Sequence, residues 1–265
     1  MGNFEDRMRM TYKDRASLVG NSAGKRLFEL MEEKESNLAL ADDDLRFENF
    51  LPLIEKLGDQ LAMVKTHMDI LRYPSFDDIE PLINDLVALS EKYGFMIFED
   101  RKFADIGHIV REQYTEGAFR IAEWAHFVNA HSLPGPGVIE GLYEGAKPFI
   151  ERGENRGLIM LAQMTPKGNL FTPEYTEDTV KMSEPYPEFV VGFIGTGSVP
   201  EKLKNELATK ADPRFFIATP GIKFGKKEGE LRQRYSGPEL AIYCLLYTSD
   251  AADEGLGVDL GGRRI

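Results

Sequence analysis

Cysteine is almost missing from this sequence: its 265 residues include a single one, Cys244. One cysteine excludes an internal disulfide framework and any metal site built from several cysteines. Because disulfides are typical of oxidising compartments, the shortage favours the reducing cytoplasm. The chain also lacks an apolar run of eighteen residues, and no apolar segment of the signal-peptide kind follows Met1. We therefore expect a cytoplasmic protein that does not use a membrane.

Positive charge is also scarce. The chain has 32 Lys and Arg residues against 44 Asp and Glu residues, which gives a formal net charge of -12. Nucleic acids and anionic membranes are themselves negative, so neither is expected as the main partner. A small anionic substrate is still compatible with this composition, because a local group of cations can override the overall sign.

Short apolar runs alternate with longer amphipathic segments from Asn37 onward. This pattern is typical of alternating strands and helices. It predicts seven strands, at residues 37–41, 62–66, 95–98, 126–129, 158–164, 189–194 and 215–219. Apolar residues at helical spacing predict helices between the strands. One additional N-terminal helix is expected before the first strand, capped by Asn21 or Ser22.

Two architectures fit alternating strands and helices. A doubly wound sheet normally has a glycine-rich phosphate loop after its first strand, and "ALADDDLRFEN" contains no glycine at that point. Seven units in about 220 residues instead favour a (β/α)8 TIM barrel, for which roughly 250 residues suffice. We predict an incomplete barrel over residues 1–243 that lacks its natural eighth strand. Such an open barrel would expose two strand edges.

The last 22 residues, 244–265, differ in composition from the rest, with Gly and Asp dominant and no amphipathic period. The segment "CLLYTSDAADE" resembles an in-frame translation of a transposon-type sequencing-library adapter. The segment "VDLGGRRI" resembles the flow-cell adapter that follows it. A natural glycine-rich tail is the alternative. We interpret residues 244–265 as a non-native tail and assign it no function.

Charged residues directly follow the third predicted strand, in "FEDRKFADIG". Alternate residues of a strand share a face, so Asp100 and Lys102 should enter one cavity. Lys65 and His67 share a face in "MVKTHMD", and Asp43 follows the first strand. Because β/α barrels place their chemistry at the carboxyl ends of the strands, we expect these groups to converge at one mouth. Surface ion pairs, each worth about 0 to 1 kcal/mol, are the alternative reading.

Seven motifs together resemble the orotidine 5'-monophosphate decarboxylases of the eukaryotic, fungal-like type: "FEDRKFADIG", "VKTHMDIL", "RIAEWA", "NAH", "GPGV", "EFVVGFI" and "TPGI". The resemblance extends over about residues 11–243. It implies a homodimer that converts orotidine monophosphate to uridine monophosphate, the last step of de novo pyrimidine nucleotide synthesis. It also implies that neither a metal nor an organic cofactor takes part.

The same resemblance implies the roles of individual residues. Lys102 would be the ammonium that stabilises negative charge at ring carbon C6 and donates the proton that replaces CO2. Asp100 and Asp105 would flank it, and Lys65 would complete an alternating charge network. Asp105 lies past the strand end and is expected to complete the partner subunit's site. The implied substrate-binding residues are Asp43, Thr66, His67, Thr165, Pro220, Gln233 and Tyr235.

Two departures from the family pattern bear on activity. Ile109 stands where the family usually has Thr, which removes a hydroxyl expected to reach the partner's substrate. The family's Gly-Arg-Gly turn after strand eight, which binds the substrate phosphate, is missing, and Arg263 and Arg264 lie in the tail. We therefore expect the chain as written to be impaired in catalysis.

Two other functions remain open at this point. Sugar-phosphate decarboxylases and aldolases share a related Asp-x-Lys-x-x-Asp motif and use a metal. The segment Lys65-Thr66-His67 and the pair Gln233 and Tyr235 argue against that assignment. The other open alternative is a non-catalytic relic or binding protein whose true terminus is the tail.

Overall fold

The computed structural model describes residues 3–41, 47–73, 75–196, 206–222 and 247–249. Strands and helices alternate along most of this length. The strands are β1 Leu38–Ala41, β2 Leu61–Thr66, β3 Met96–Phe103, β4 Phe127–His131, β5 Gly157–Leu161, β6 Val190–Ile194, β7 Phe216–Ile222 and β8 Tyr247–Ser249. The α-helices are α1 Asn3–Arg9, α2 Tyr12–Ala16, α3 Ser22–Glu33, α4 Phe47–Leu57, α5 Ile79–Tyr93, α6 Gly107–Thr115, α7 Gly137–Glu151, α8 Pro173–Ser183 and α9 Glu206–Lys210.

The strands form a parallel β/α barrel in chain order, from β1 round to β8. Helices cover the outside because, after each strand, the chain has to return to the other end of the barrel before the next parallel strand can start. The predicted fold class and all seven predicted strands are confirmed. The largest change is in β3, which continues through the charged stretch to Phe103.

The eighth position of the barrel is occupied, so the prediction of two exposed strand edges is wrong for this structure. Strand β8 pairs with β1 on one side and with β7 on the other. Its three residues come from the segment interpreted as a non-native tail, and it is the shortest strand in the described ranges. Any extended polypeptide can form the hydrogen bonds that the N–H and C=O groups of two strand edges require, because the bonds between strands use main-chain groups. Closure therefore does not depend on the origin of these residues.

The N-terminal region contains more helix than was predicted. Helix α3 is the expected one, and the side chain of Asn21 caps it by accepting a hydrogen bond from the backbone N–H of Gly24 at 2.9 Å. Helices α1 and α2 precede it. Buried Arg7 and Arg15 attach them to the barrel, since both guanidinium groups donate to the backbone carbonyl of Phe215.

The core has two layers. The larger layer lies between the strands and the surrounding helices, and the smaller one fills the barrel and extends to α3. Neighbouring residues of a strand can therefore belong to different layers: on β4, Phe127 belongs to the inner layer and Val128 to the outer one. In the ranges that the structure covers, no helix is both long and apolar enough to cross a lipid bilayer.

Candidate active site at the carboxyl ends of the strands

A cavity of about 200 Å³ opens at the carboxyl ends of the strands. One side of it is charged and is formed by β2 and β3 with the residue that follows β2. The other side is mostly apolar and comes from β5, β6 and β7 and the loop after β5. The polar lining residues are Lys65, His67, Asp100, Lys102 and Thr165. A mostly apolar cavity with a few convergent polar groups is typical of a small-molecule site.

A bulge in β3 directs two charged side chains into the cavity. Three residues lie between Glu99 and Phe103 on β3, whereas one residue, Asn129, lies between their pairing partners on β4. Within the bulge Lys102 has a φ angle of 54°, in the left-handed region that non-glycine residues seldom adopt. Bulges commonly re-aim side chains beside active sites. Asp100 and Lys102 thereby both line the cavity, as the alternation of the strand predicted.

Asp100 is the centre of the charged wall. Its Oδ1 accepts hydrogen bonds from Lys102 Nζ at 2.6 Å and from Asn129 Nδ2 at 2.6 Å. Its Oδ2 lies 3.2 Å from His67 Nε2 and 3.6 Å from Lys65 Nζ. The predicted convergence of these groups at one mouth is therefore confirmed, although Asp43, predicted to join them, lies outside the described residues.

The charge on Asp100 follows from these partners. Burial alone would favour the neutral acid. The hydrogen bond from His67 and the positive charges of Lys65 and Lys102 outweigh burial and hold the pKa of Asp100 well below its usual value. The carboxyl group is therefore a fixed anion at neutral pH, held between two lysines.

Glu99 lies on the opposite face of β3 and is fully buried. Its carboxyl group accepts a hydrogen bond from Thr66 Oγ1 at 2.6 Å and another from the backbone N–H of Met68 at 3.1 Å. Burial raises its pKa to about 7, against the opposing effect of these hydrogen bonds. Glu99 and Thr66 therefore form a polar contact behind the wall of the site and not inside it.

This contact fixes the position of the Thr66 side chain, whose predicted role in substrate binding stays a prediction. Its side chain does not line the cavity, because Lys65 and His67 occupy the inner face and the residue between them points outward. Thr165 and Pro220 do line the cavity. Gln233 and Tyr235 lie outside the described residues.

Asp105 is not among the cavity residues of its own chain. It follows the end of β3, is exposed, and accepts a hydrogen bond from the backbone N–H of Ile106 at 2.7 Å. Ile106 is 64% exposed and Ile109 36% exposed. Asp105 thus lies on a partly apolar surface beside the barrel mouth.

Two polar residues of this region were not predicted as site residues, namely Asn129 and Glu99. Asn129 belongs to the "NAH" motif, and strand alternation on β4 could have placed it on the inner face. Glu99 could have been assigned to the outer face by the same rule. Within the described ranges, no group of three or more His, Cys, Asp or Glu side chains is arranged to hold a metal ion.

A β/α barrel with a lysine–aspartate–lysine array at the carboxyl ends of its strands has the architecture of an enzyme, and fixed charges of this kind can serve catalysis. Residues 36–244 match the family model described as "Orotidine 5'-phosphate decarboxylase / HUMPS family". The chain belongs to this family.

Curated relatives agree with the family match. The chain is 41% identical over 241 residues to an orotidine 5'-phosphate decarboxylase of Aspergillus awamori. This alignment covers 90% of this chain and 85% of the relative. It is 43% identical over 233 residues to the enzyme of the same name from Coccidioides immitis, covering 87% and 82% of the two chains. Both relatives are fungal, as the resemblance had implied.

A solved structure supports the fold independently of close sequence similarity. It is an orotidine 5'-monophosphate decarboxylase from Methanocaldococcus jannaschii complexed with inhibitor BMP. The two chains superpose with a TM-score of 0.56 at 18% identity, over 80% of this chain and 86% of the other. At this identity the likeness concerns the fold alone.

Proposed function

We propose that this chain decarboxylates orotidine 5'-monophosphate to uridine 5'-monophosphate, in the last step of de novo pyrimidine nucleotide synthesis. The observation that carries the proposal is the array of Lys65, Asp100 and Lys102 on one wall of the cavity, in a chain 41% identical to a decarboxylase of that name. The proposal extends to a cytoplasmic location, for which the low cysteine content is the support.

The proposed chemistry concerns one carbon–carbon bond. The bond between ring carbon C6 and the carboxylate breaks, CO2 leaves, and the electron pair stays on C6. Lys102 Nζ, at the mouth of the cavity, stabilises this charge and then transfers a proton to C6, after which the neutral amine is reprotonated from water. Because Asp100 fixes Nζ at 2.6 Å, the cation is in place before the charge develops, which is the condition for electrostatic catalysis.

Other parts of the cavity would hold the substrate. Thr165 and Pro220 are proposed to contact the pyrimidine base, and His67 the ribose side of the nucleotide. For Asp43, Gln233 and Tyr235 the substrate-binding roles rest on the sequence resemblance. Ile109 is exposed on α6 and has no hydroxyl to offer a partner's substrate.

We further propose a homodimer in which Asp105 completes the site of the partner subunit. Asp105 is exposed and beside two exposed isoleucines, and it is not a lining residue of its own cavity. Mixing an inactive Asp105→Asn chain with an inactive Lys102→Ala chain should restore activity at about a quarter of the sites, since half of the random dimers are mixed and each has one intact site. Absence of complementation would contradict the shared site.

The domain boundary is also part of the proposal: residues 1–243 form the barrel domain and 244–265 a non-native tail. The family match ends at residue 244, which supports the boundary. A long read of the source transcript across the codon for Tyr243, made without adapter chemistry, tests it. Continuation into a strand that ends in Gly-Arg-Gly supports the proposal, and a second reading of "CLLYTSDAADE" contradicts it.

The decisive test of function is uridine monophosphate formation, measured for this chain and for a chimaera that carries the corresponding C-terminal segment of the Aspergillus awamori relative from residue 244 onward. We expect turnover by the chimaera, weak turnover by the chain as written, and no effect of a metal chelator on either. Inactivity of a folded chimaera would reject the proposed function. Chelator-sensitive turnover of a sugar phosphate would instead favour a metal-dependent sugar-phosphate decarboxylase or aldolase.

A further inference from the structure

Asn129 is the residue of β4 that faces the bulge of β3. Its side chain is fully buried, and it lies on the inner face of β4 next to the charged wall. Opposite the bulge the regular ladder between β3 and β4 is interrupted, because three residues face one. The backbone groups of the bulge therefore need partners other than those of the ladder.

The amide of Asn129 supplies such a partner and also binds the catalytic wall. Its Oδ1 accepts a hydrogen bond from the backbone N–H of Lys102 at 2.6 Å. Its Nδ2 donates to Asp100 Oδ1 at 2.6 Å, the same oxygen that accepts from Lys102 Nζ. The two partners fix the orientation of the amide, since a backbone N–H can only donate and an ionised carboxylate can only accept.

From this geometry we infer that Asn129 is a positioning residue for decarboxylation: it holds the left-handed backbone of Lys102 and the carboxylate of Asp100 so that Lys102 Nζ points into the cavity. The inference rests on the proposed function. It assigns to Asn129 no contact with substrate. Its physical basis is that the φ angle of 54° at Lys102 is a strained conformation, which persists only where neighbouring groups hold it.

Substitution of Asn129 should therefore affect turnover more than binding. In the chimaera described above, Asn129→Ala removes both hydrogen bonds, lets the Lys102 backbone relax, and displaces Nζ. We expect kcat to fall about 100-fold while KM changes less than about threefold, because a displacement on the order of 1 Å is enough for such a loss. Asn21→Ala is the matched control, since Asn21 is also a buried amide with hydrogen bonds to backbone groups but lies at α3, away from the cavity.

A second variant separates positioning from simple loss of packing. Asn129→Asp keeps the size and the acceptor for Lys102 N–H, but it places a second carboxyl group against Asp100. The charged or titratable groups around this pair are Lys65, His67, Lys102 and His131. Like charges favour retention of a proton, so the acid limb of the kcat/KM profile should move to higher pH by about one unit or more.

The outcomes are distinguishable. If a folded chimaera is inactive, the proposed function fails, and the positioning role that rests on it fails with it. If the chimaera is active, the inference requires the kcat loss in Asn129→Ala, the shifted pH profile in Asn129→Asp, and near-unchanged kcat in Asn21→Ala. Turnover within threefold of the unsubstituted chimaera, a loss confined to KM, or an unshifted profile in the isosteric Asn129→Asp variant would overturn it. If Asn129→Ala does not fold, the pH profile of Asn129→Asp alone decides the inference.

Discussion

Glu99 and Asp100 are adjacent in sequence, yet the two faces of β3 give their carboxyl groups opposite properties. Asp100 faces the cavity, where His67 and two lysines hold its pKa well below the usual value. Glu99 faces the helical layer, where its hydrogen-bond donors are the hydroxyl of Thr66 and one backbone N–H, and burial raises its pKa to about 7. Burial acts in the same direction on both groups, so the difference comes from the hydrogen bond of His67 and from the positive charges of Lys65 and Lys102 on the inner face.

The comparison teaches that position on a strand decides which acidic residue can serve electrostatic catalysis. An anion that remains charged can orient an ammonium group, as Asp100 does for Lys102. A carboxyl group that takes up a proton near neutral pH cannot provide a constant field. The inner face therefore holds the proposed chemistry, and the outer face contributes to folding.

The largest expected effect is on the inner face. Lys102→Ala in the chimaera removes the proposed proton donor and should lower kcat by at least about 10³-fold, since preorganised charge is usually the largest catalytic contribution. Lys147→Ala, at an exposed position on α7, is the control and should leave kcat unchanged. Turnover of Lys102→Ala within tenfold of the unsubstituted chimaera would contradict the proposal that the inner face of β3 carries the chemistry.

The outer face should respond in stability. The folded-state pKa of Glu99 is above its unfolded value, so the unfolded chain binds fewer protons between about pH 4.5 and 7, and stability falls as pH rises through this window. Glu99→Gln removes the titration. We compare the free energy of unfolding of Glu99→Gln with that of the unsubstituted chain at each pH. This difference should shift in favour of the variant by about 3 kcal/mol between pH 5 and pH 8, because only the unsubstituted chain loses stability over that range.

Chemical denaturation at the two pH values measures this difference. Glu91→Gln, at an exposed position on α5, is the matched control and should give equal relative stabilities at both. A pH-independent relative stability for Glu99→Gln would mean that Glu99 and Asp100 do not differ as described.

The smallest expected effect concerns Thr66. Thr66→Val removes the hydroxyl that donates to Glu99 and should destabilise the chain by about 1 to 2 kcal/mol. Because the side chain points away from the cavity, KM should stay within about twofold. A clear rise in KM with unchanged stability would support the substrate-binding role that the resemblance implies and would contradict the outward orientation.

Much of the fold and the site could be predicted from the sequence. Apolar runs located seven strands, and strand alternation placed Asp100, Lys102, Lys65 and His67 in one cavity. The same alternation places the Thr66 side chain outside the cavity, so the binding role that the resemblance implies for Thr66 stays a prediction.

Features that depend on tertiary contacts could not be predicted. The bulge opposite Asn129 is a matter of pairing between β3 and β4, which a single sequence does not reveal. Helix α2 has five residues, too few to show a repeating helical pattern of apolar residues. Arg15 attaches it to the backbone carbonyls of Pro213 and Phe215, which are distant in the chain. The pairing of β8 uses backbone groups, which leave no pattern in side chains.

The central claim is that the inner face of β3 is the catalytic wall. A crystal structure of the chimaera with the inhibitor BMP tests it most directly. The account predicts the inhibitor inside the cavity, with Lys102 Nζ in contact with it, Asp100 still bound to that ammonium, and Glu99 separated from it by the strand. An inhibitor bound elsewhere, or Lys102 and Asp100 turned out of the cavity, would contradict the account.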